Sequence, residues 1–249
     1  MSEALDRPRA LAARLRALTP ARVALSRTGA SLQTGDLLDF QRAHAQARDA
    51  VHARLEVSSL AANLAAITGL EVQVMHSAAM DRTTYLQRPD LGRRLDETSR
   101  AKLCAGNWEL ALIVADGLSA VAVERHAAPL LQQLLPRLEG WRLAPIAVVE
   151  QGRVAIGDEI GAALGAQLSV VLIGERPGLS SPDSLGAYIT WDPGPSRTNA
   201  ERNCISNIRI GGLNYIAAAT QLSYYLTEAR RRKLTGISLK DASLLLNEG

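Results

Sequence analysis

The stretch at residues 167–178 reads Gln-Leu-Ser-Val-Val-Leu-Ile-Gly-Glu-Arg-Pro-Gly and decides the fold class. Residues 168–173 are apolar apart from one serine, which predicts a strand buried on both faces, as in a parallel sheet covered by helices. The strand ends there, because the glycine that follows permits a tight turn and Pro177 cannot continue a β-ladder. Glu175 and Arg176 therefore stand at the carboxyl end of a strand, where open α/β sheets bind their ligands.

The segments on either side of this strand alternate between strand and helix patterns. Strands are predicted at 110–115, 146–149, 168–173 and 187–191, and helices at 118–138 with a kink at Pro129, at 156–164, and beyond Gly212. Alternation of this kind is typical of right-handed crossovers in a doubly wound parallel sheet. The fold class is therefore predicted to be α/β.

The first hundred residues have a different pattern. A short amphipathic helix is predicted within residues 1–22, a second helix from Thr34 or Asp36 to about Leu55, and an irregular basic link at 85–95. We place a domain boundary near residue 100. Residues 1–100 are then an N-terminal helical annex that docks a partner, and residues 101–249 are the sheet domain.

Composition indicates an ordinary globular chain. With 249 residues, 47% hydrophobic and 21% charged, the chain is long enough to bury a sizeable core. No window approaches the roughly 18 uninterrupted apolar residues of a membrane span, and the N-terminus lacks the apolar core of a secretory signal. We therefore expect a cytoplasmic protein without a membrane partner. Cys104 and Cys204 are too few and too far apart for a disulfide framework, so free thiols are expected.

Positive charge leaves an anionic partner open as an alternative. The net charge is +3 and the pI about 9.1, and the densest basic run is Arg-Arg-Arg-Lys at 230–233. This run ends a helical pattern, where cations favourably meet the negative pole of the helix. Aromatic residues are only 4% of the chain, which argues against a single-strand stacking platform. An Arg-rich nucleic-acid-binding protein is the less favoured interpretation.

Polar loops follow each predicted parallel strand and are expected to converge on one edge of the sheet. They begin at Asp116, Glu150 and Gly174, and a polar segment at 202–207 is expected to reach the same place. No Gly-x-Gly-x-x-Gly, P-loop, Gly-x-Ser-x-Gly or Asp-x-His-x-x-Gly motif is present. The residues alone thus predict a ligand site without naming its ligand. A stand-alone enzyme that uses Asp116, Glu150 and Glu175 as acid–base groups stays open.

Several longer strings carry a resemblance to a known family, the light subunit of ethanolamine ammonia-lyase. The likeness runs in order from about residue 22 to the C-terminus. Its strings are Tyr-Leu-Gln-Arg-Pro-Asp-Leu-Gly-Arg-Arg-Leu (85–95), Asp-Gly-Leu-Ser (116–119), Gly-Arg-Val-Ala-Ile-Gly-Asp (152–158), Ile-Gly-Glu-Arg-Pro-Gly-Leu-Ser-Ser-Pro-Asp-Ser-Leu (173–185) and Cys-Ile-Ser-Asn-Ile (204–208).

The resemblance implies a division of labour between two subunits. In that family a heavy subunit with a TIM barrel holds the substrate, and the Rossmann-like domain of the light subunit helps to enclose adenosylcobalamin at the interface. The complex is a lyase that converts ethanolamine to acetaldehyde and ammonia by radical chemistry. The resemblance therefore implies a hetero-oligomeric partner, no nucleic acid, and no activity of this chain alone. Some members of the family have a longer N-terminal extension and are packaged in a bacterial microcompartment, which is a second expected location.

Carried over residue by residue, the resemblance implies three corrin contacts: the backbone carbonyl of Val154, the carboxylate of Glu175, and Cys204. Corrin-rim amides need hydrogen-bond acceptors, and a small cysteine leaves room where a larger side chain would collide. The alternative for Glu175 is a salt bridge to Arg176 or a loop-capping role, and for Cys204 it is packing. No catalytic residue and no protein ligand to the cobalt is expected in this chain, so the cofactor's own dimethylbenzimidazole stays bound to the metal.

Overall fold

The central element of the fold is a six-stranded β-sheet with helices on both faces. The structure is a computed structural model and describes residues 3–19, 21–25 and 27–240. Its helices are α1 (Glu3–Leu18), α2 (Thr34–His52), α3 (Val57–Thr68), α4 (Arg82–Gln87), α5 (Glu97–Ala101), α6 (Ala120–Leu134), α7 (Ile156–Leu164) and α8 (Tyr215–Arg232). Its strands are a short hairpin, β1 (Arg27–Thr28) and β2 (Ser31–Leu32), and the six of the main sheet, β3 (Val72–His76), β4 (Leu110–Ala115), β5 (Ile146–Glu150), β6 (Leu168–Gly174), β7 (Leu185–Trp191) and β8 (Arg202–Ile208).

The strand order of the main sheet is β3-β5-β4-β6-β7-β8. The first four strands in this order are parallel to one another, whereas β7 is antiparallel to both β6 and β8. The predicted α/β class is thus confirmed, with a sheet that is mostly rather than wholly parallel. The reason is the connection from β6 to β7, which consists only of residues 175–184. A parallel crossover needs a dozen residues or more.

The core has two layers, one on each side of the sheet. Alternate residues of β4 point to opposite sides, so Leu112 packs with α3, α6 and α8, and Ile113 packs with α7. Every residue of β4 and β6 is buried. This explains why their sequences are continuously apolar instead of alternating.

The predicted elements around the central strand are present with small shifts at their ends. The strand at 110–115 and the helix at 156–164 have the predicted bounds. The helix predicted at 118–138 becomes 3-10 beyond Leu134. Pro136 accounts for the change, because it has no backbone N–H for the next α-helical hydrogen bond.

Two strands of the sheet were not predicted. Residues 72–76 form β3, which pairs in parallel with β5 at one edge. The polar segment at 202–207 is not a loop but most of β8, at the other edge. Since β3 precedes residue 100, the sheet includes a strand from the segment interpreted as a helical annex. The division at residue 100 stays a prediction, and residues 1, 2, 20, 26 and 241–249 of the two proposed domains lie outside the described residues.

Helix α2 is weakly covered by the rest of the described chain. Along α2 only Ala43 and Ala50 are buried, and the apolar side chains of Leu37 and Phe40 remain about two-fifths exposed, at 41% and 40%.

Within residues 3–19, 21–25 and 27–240, no helix is both long and apolar enough to cross a membrane.

The basic run at 230–233 lies at the end of α8, as predicted. Arg231 and Arg232 both pair with Glu228. Arg230 pairs with the buried Glu109 and lies over the Trp141 ring, with 4.6 Å from Cζ to the ring centroid. These three arginines are engaged within the fold, which removes the main support for the nucleic-acid interpretation.

Candidate functional site

Three loops at the carboxyl ends of β4, β5 and β6 are tied directly to one another. The backbone N–H of Leu118 donates to the carbonyl of Gly174 at 2.9 Å, and that of Gly152 donates to Asp116 Oδ1 at 3.1 Å. Gly117 has a φ of +58°, and a Cβ there would lie 2.3 Å from the carbonyl oxygen of Gly174. Only glycine fits so close an approach, so the loops form one continuous surface.

This surface carries a groove made of two adjoining cavities of about 530 and 380 Å³. Arg153, Val154 and Tyr188 line both cavities. Cys204 lines the larger cavity and Glu175 the smaller one. The three residues named by the resemblance therefore lie along one groove, although they come from three separate parts of the chain.

Val154 lies in the loop between β5 and α7. Its carbonyl oxygen accepts one hydrogen bond, from the N–H of Gly157 at 3.2 Å, and a carbonyl has two lone pairs. The loop is anchored on both sides of this residue. Tyr85 donates through its hydroxyl to the carbonyl of Gly152 at 3.1 Å, and the N–H of Arg153 donates to the carbonyl of Gly92 at 2.7 Å. The Val154 carbonyl is thus a fixed acceptor with spare capacity.

The Glu175 carboxylate is held in one orientation. Its Oε2 accepts hydrogen bonds from the Ser184 hydroxyl and from the N–H of Asn207, the latter at 3.1 Å. The loop-capping role considered for this residue is therefore real, and the described residues contain no ion pair between Glu175 and Arg176. Since both hydrogen bonds go to Oε2, the other oxygen is left with acceptor capacity. Gly186 leaves room for it, because a Cβ there would lie 3.0 Å from Oε1.

Cys204 is an exposed free thiol on β8, opposite Tyr188 on β7. Partial loss of solvent raises the pKa of the Cys204 thiol, the nearby Glu175 charge acts in the same direction, and a hydrogen bond with Tyr188 opposes them. Burial also raises the pKa of the Tyr188 phenol. The Cys204 thiol and the Tyr188 phenol are therefore neutral at neutral pH. This wall of the groove is weakly polar, and the Cys204 side chain takes up little space in it.

The structure does not support an acid–base group made of Asp116, Glu150 and Glu175. Asp116 is only 1% exposed and pairs with Arg82, at 3.4 Å between Oδ2 and Nη1. Glu150 ends β5 beside the edge strand β3. Of these three carboxylates, Glu175 is the one that lines the described groove.

Sequence reasoning missed a buried cluster beneath the groove. The Tyr85 ring is fully buried, with the Arg82 guanidinium carbon 4.8 Å and that of Arg153 4.3 Å from its centroid. Arg82 also donates to the carbonyl of Gly117 at 2.8 Å and to the Gln151 side chain at 3.3 Å. The sequence shows Arg82 and Tyr85 on one helical face, but Arg153 is 68 residues away, and no local pattern joins it to them.

Comparisons with known proteins agree with the motifs. The family model described as "Ethanolamine ammonia-lyase light chain (EutC)" matches residues 9–240. A protein of Azotobacter vinelandii named "Ethanolamine ammonia-lyase small subunit" is 59% identical over 235 residues, which are 91% of this chain and 87% of the relative. Proteins with the same name are 57% identical in Pseudomonas paraeruginosa, over 91% of this chain and 86% of the relative, and 56% identical in Pseudomonas syringae pv. tomato, over 93% and 83%. Likeness of this extent confirms the resemblance, and the chain belongs to the ethanolamine ammonia-lyase light-chain family.

Proposed function

We propose that this chain is the light subunit of an adenosylcobalamin-dependent ethanolamine ammonia-lyase, and that its groove forms one wall of the cofactor site at the interface with a heavy catalytic subunit. The observation that carries the proposal is that Val154, Glu175 and Cys204 all line the groove shared by the loops after β5 and β6 and by strand β8. The cofactor wall then belongs mainly to a Rossmann-like, doubly wound sheet domain, residues 101–249, and residues 1–100, which add strand β3 to the sheet and Tyr85 and Arg93 to the groove, dock the heavy subunit.

The residues of the groove fit a corrin. The rim of a corrin carries primary amides, whose N–H groups lose their water when the ring is enclosed and need acceptors. The Val154 carbonyl and the free oxygen of Glu175 meet this need, and both are fixed by hydrogen bonds within the chain. Acceptors that are already oriented bind more tightly, because little side-chain entropy is lost on binding. Cys204 adds a small side chain where the ring edge passes.

The complex converts ethanolamine to acetaldehyde and ammonia in this proposal. Adenosylcobalamin, when bound, supplies an organic radical through homolysis of its cobalt–carbon bond. Val154, Glu175 and Cys204 hold the corrin rim and keep water away from that side of it. They touch neither the substrate nor the reacting atoms. The heavy subunit provides the groups that surround the amino alcohol, so the light chain alone is inactive.

The proposal is tested by assembly and cofactor retention. The chain is co-expressed with its heavy subunit, the complex is incubated with adenosylcobalamin, and unbound cofactor is removed by gel filtration. We expect both subunits to co-elute with the visible absorption spectrum of a corrin at a fixed ratio to protein. The heavy subunit alone, treated in the same way, is the control and should retain less corrin. Retention of corrin that does not depend on the light chain would contradict the proposal.

A further inference from the structure

The larger cavity of the groove is lined by cations without any carboxylate. Four arginines line it, Arg93, Arg153, Arg197 and Arg202, and none of its other lining residues is acidic. The charges of Arg197 and Arg202 are neutralised by carboxylates of the same chain. Arg197 pairs with Asp192 and Glu201, and Arg202 binds Asp158 through both terminal nitrogens, at 3.2 and 2.6 Å.

Arg153 and Arg93 are different. Within the described ranges neither has a carboxylate oxygen within 4.0 Å. The Nε of Arg153 is buried and has no hydrogen-bond partner, and the side chain donates through Nη2 to the carbonyl of Tyr85 at 3.1 Å. A buried guanidinium N–H without an acceptor is costly, since native proteins satisfy nearly all such groups. The folded chain therefore leaves donor capacity of the Arg153 guanidinium unused.

The surroundings of Arg153 are built to fix its position. Its guanidinium lies over the buried Tyr85 ring, and its stem passes over Gly92 so closely that a Cβ there would lie 2.8 Å from Arg153 Cγ. The same ring contacts the guanidinium of Arg82, which forms an ion pair with Asp116. Among the described residues of this cluster, Asp116 has the only carboxylate. Two guanidinium groups and one carboxylate leave one positive charge uncompensated. An anion bound in the groove would balance this charge.

We propose that Arg153, assisted by Arg93, forms an anion-binding subsite of the groove and binds the phosphodiester in the nucleotide tail of the cobalamin. This inference rests on the proposed function, because a cobalamin is the ligand that brings a corrin and a phosphodiester together. Arginine suits this task, since its planar fork presents two parallel N–H donors to phosphate oxygens. Arg153 borders both cavities of the groove, so the subsite is continuous with the corrin acceptors Val154 and Glu175.

The test compares ligands that differ in the phosphate. Cobinamide lacks the nucleotide tail and its phosphate, cobinamide phosphate restores the phosphate without the base, and cobalamin has both. Binding of each to the assembled heavy–light complex is followed by visible absorption and by calorimetry, without reference to catalysis. For the unmodified complex we expect cobinamide phosphate to bind more tightly than cobinamide. In Arg153→Met this preference should shrink about ten- to hundredfold, the loss expected for a charge-assisted hydrogen bond, with cobinamide affinity little changed.

Further variants separate the phosphate contact from folding. Arg93→Met removes an exposed cation and should reduce the same preference to a smaller extent, whereas Arg137→Met, an exposed arginine in the turn after α6, should leave it unchanged. Because each preference is a ratio of two ligands on one protein, partial misfolding of Arg153→Met cancels from it. An equal loss of affinity for all three ligands in Arg153→Met would overturn the subsite. Failure of the unmodified complex to bind any corrin would overturn the proposed function itself.

Discussion

Arg82 and Asp116 form a buried ion pair in which Nη1 lies 3.4 Å from Oδ2 and only 8% and 2% of the two side chains are exposed. The same arginine donates through Nε to the carbonyl of Val51 at 2.6 Å, at the C-terminal end of α2. One side chain thus connects an N-terminal helix to the loops after β4 and β5. The groove above therefore depends on a contact from Val51, which lies well before β4 and β5 in the sequence.

Removal of the Asp116 carboxylate should leave Arg82 as a buried charge without a partner. We expect Asp116→Ala to lower the free energy of unfolding by about 3–5 kcal/mol, because breaking a buried pair leaves an uncompensated charge. Urea unfolding followed by circular dichroism measures the change. The control is Asp90→Ala, which removes the exposed pair of Arg88 and Asp90 and should have little effect. Equal effects of the two substitutions would mean that the Arg82 charge remains hydrated in the folded chain.

The same carboxylate should make stability depend on pH in an unusual direction. Burial raises the pKa of Asp116 from its ordinary 3.8 to about 6, although Arg82 opposes the shift. Between these values the folded state holds more protons than the unfolded state, so the contribution of Asp116 to stability falls as pH rises from about 4 to about 6. The difference in unfolding free energy between the unmodified chain and Asp116→Asn should decline across that window. A difference that is constant between pH 4 and pH 7 would show that Asp116 titrates normally.

The Glu175 carboxylate should contribute to cofactor affinity more than to the fold. We expect Glu175→Ala to weaken corrin binding by the assembled complex by roughly 1.5–3 kcal/mol, the contribution of a charge-assisted hydrogen bond. Glu175→Gln keeps one acceptor oxygen and should lose less. Glu139→Ala, an exposed glutamate in the turn after α6, is the matched control and should bind corrin normally. Unchanged affinity in a folded Glu175→Ala complex would remove this residue from the site.

Size rather than polarity should matter at Cys204. The thiol is neutral and lies opposite Tyr188 in the wall of the groove, so Cys204→Ser changes little of the available space. Cys204→Trp fills part of the larger cavity, and we expect it to reduce corrin affinity much more than Cys204→Ser. Spectrophotometric titration of the two complexes with a corrin compares them. A greater loss in the serine variant would argue against close approach of the ring at this position.

The parts of the fold that could be predicted are those whose sequences are determined locally. β4 and α7 have the predicted bounds because one is buried on both faces and the other has a clear helical period. β3 and β8 were missed because edge strands with an exposed face are partly polar, and Val-Gln-Val-Met-His resembles a loop as much as a strand. Their pairing is decided by the partner strand, which the local sequence does not contain.

The candidate site also has a part that could be predicted from the sequence and a part that could not. That the loops after β5 and β6 meet follows from parallel strands whose carboxyl ends share an edge, so proximity of Val154 and Glu175 could be expected. The stacking of Arg82 and Arg153 on Tyr85 could not, because it joins residues far apart in the chain. The corrin contacts themselves came from the family motifs and not from the pattern of the residues. They stay predictions until binding is measured.

The isolated chain should be catalytically silent. The groove is open on one side and supplies acceptors for a ring, whereas radical chemistry needs a cavity that excludes water and holds the substrate beside the reactive carbon. Among the residues that line the groove, Glu175 has the one carboxylate, which is too few to enclose a small amino alcohol. Ammonia release from ethanolamine should therefore be undetectable with the purified chain plus adenosylcobalamin, and should appear when the heavy subunit is added.

Assembly and cofactor binding should be separable in the same assay. Deletion of residues 1–18, which contain α1, should weaken association with the heavy subunit, because Leu11, Leu15 and Leu18 remain 58%, 43% and 83% exposed within the described chain. Glu175→Ala should leave association intact, since its carboxylate lies in the groove. Analytical ultracentrifugation gives the association constant, and ammonia release gives the activity. Full activity after the deletion would show that α1 is not the docking surface. Activity of the single chain would contradict the division of labour between the two subunits.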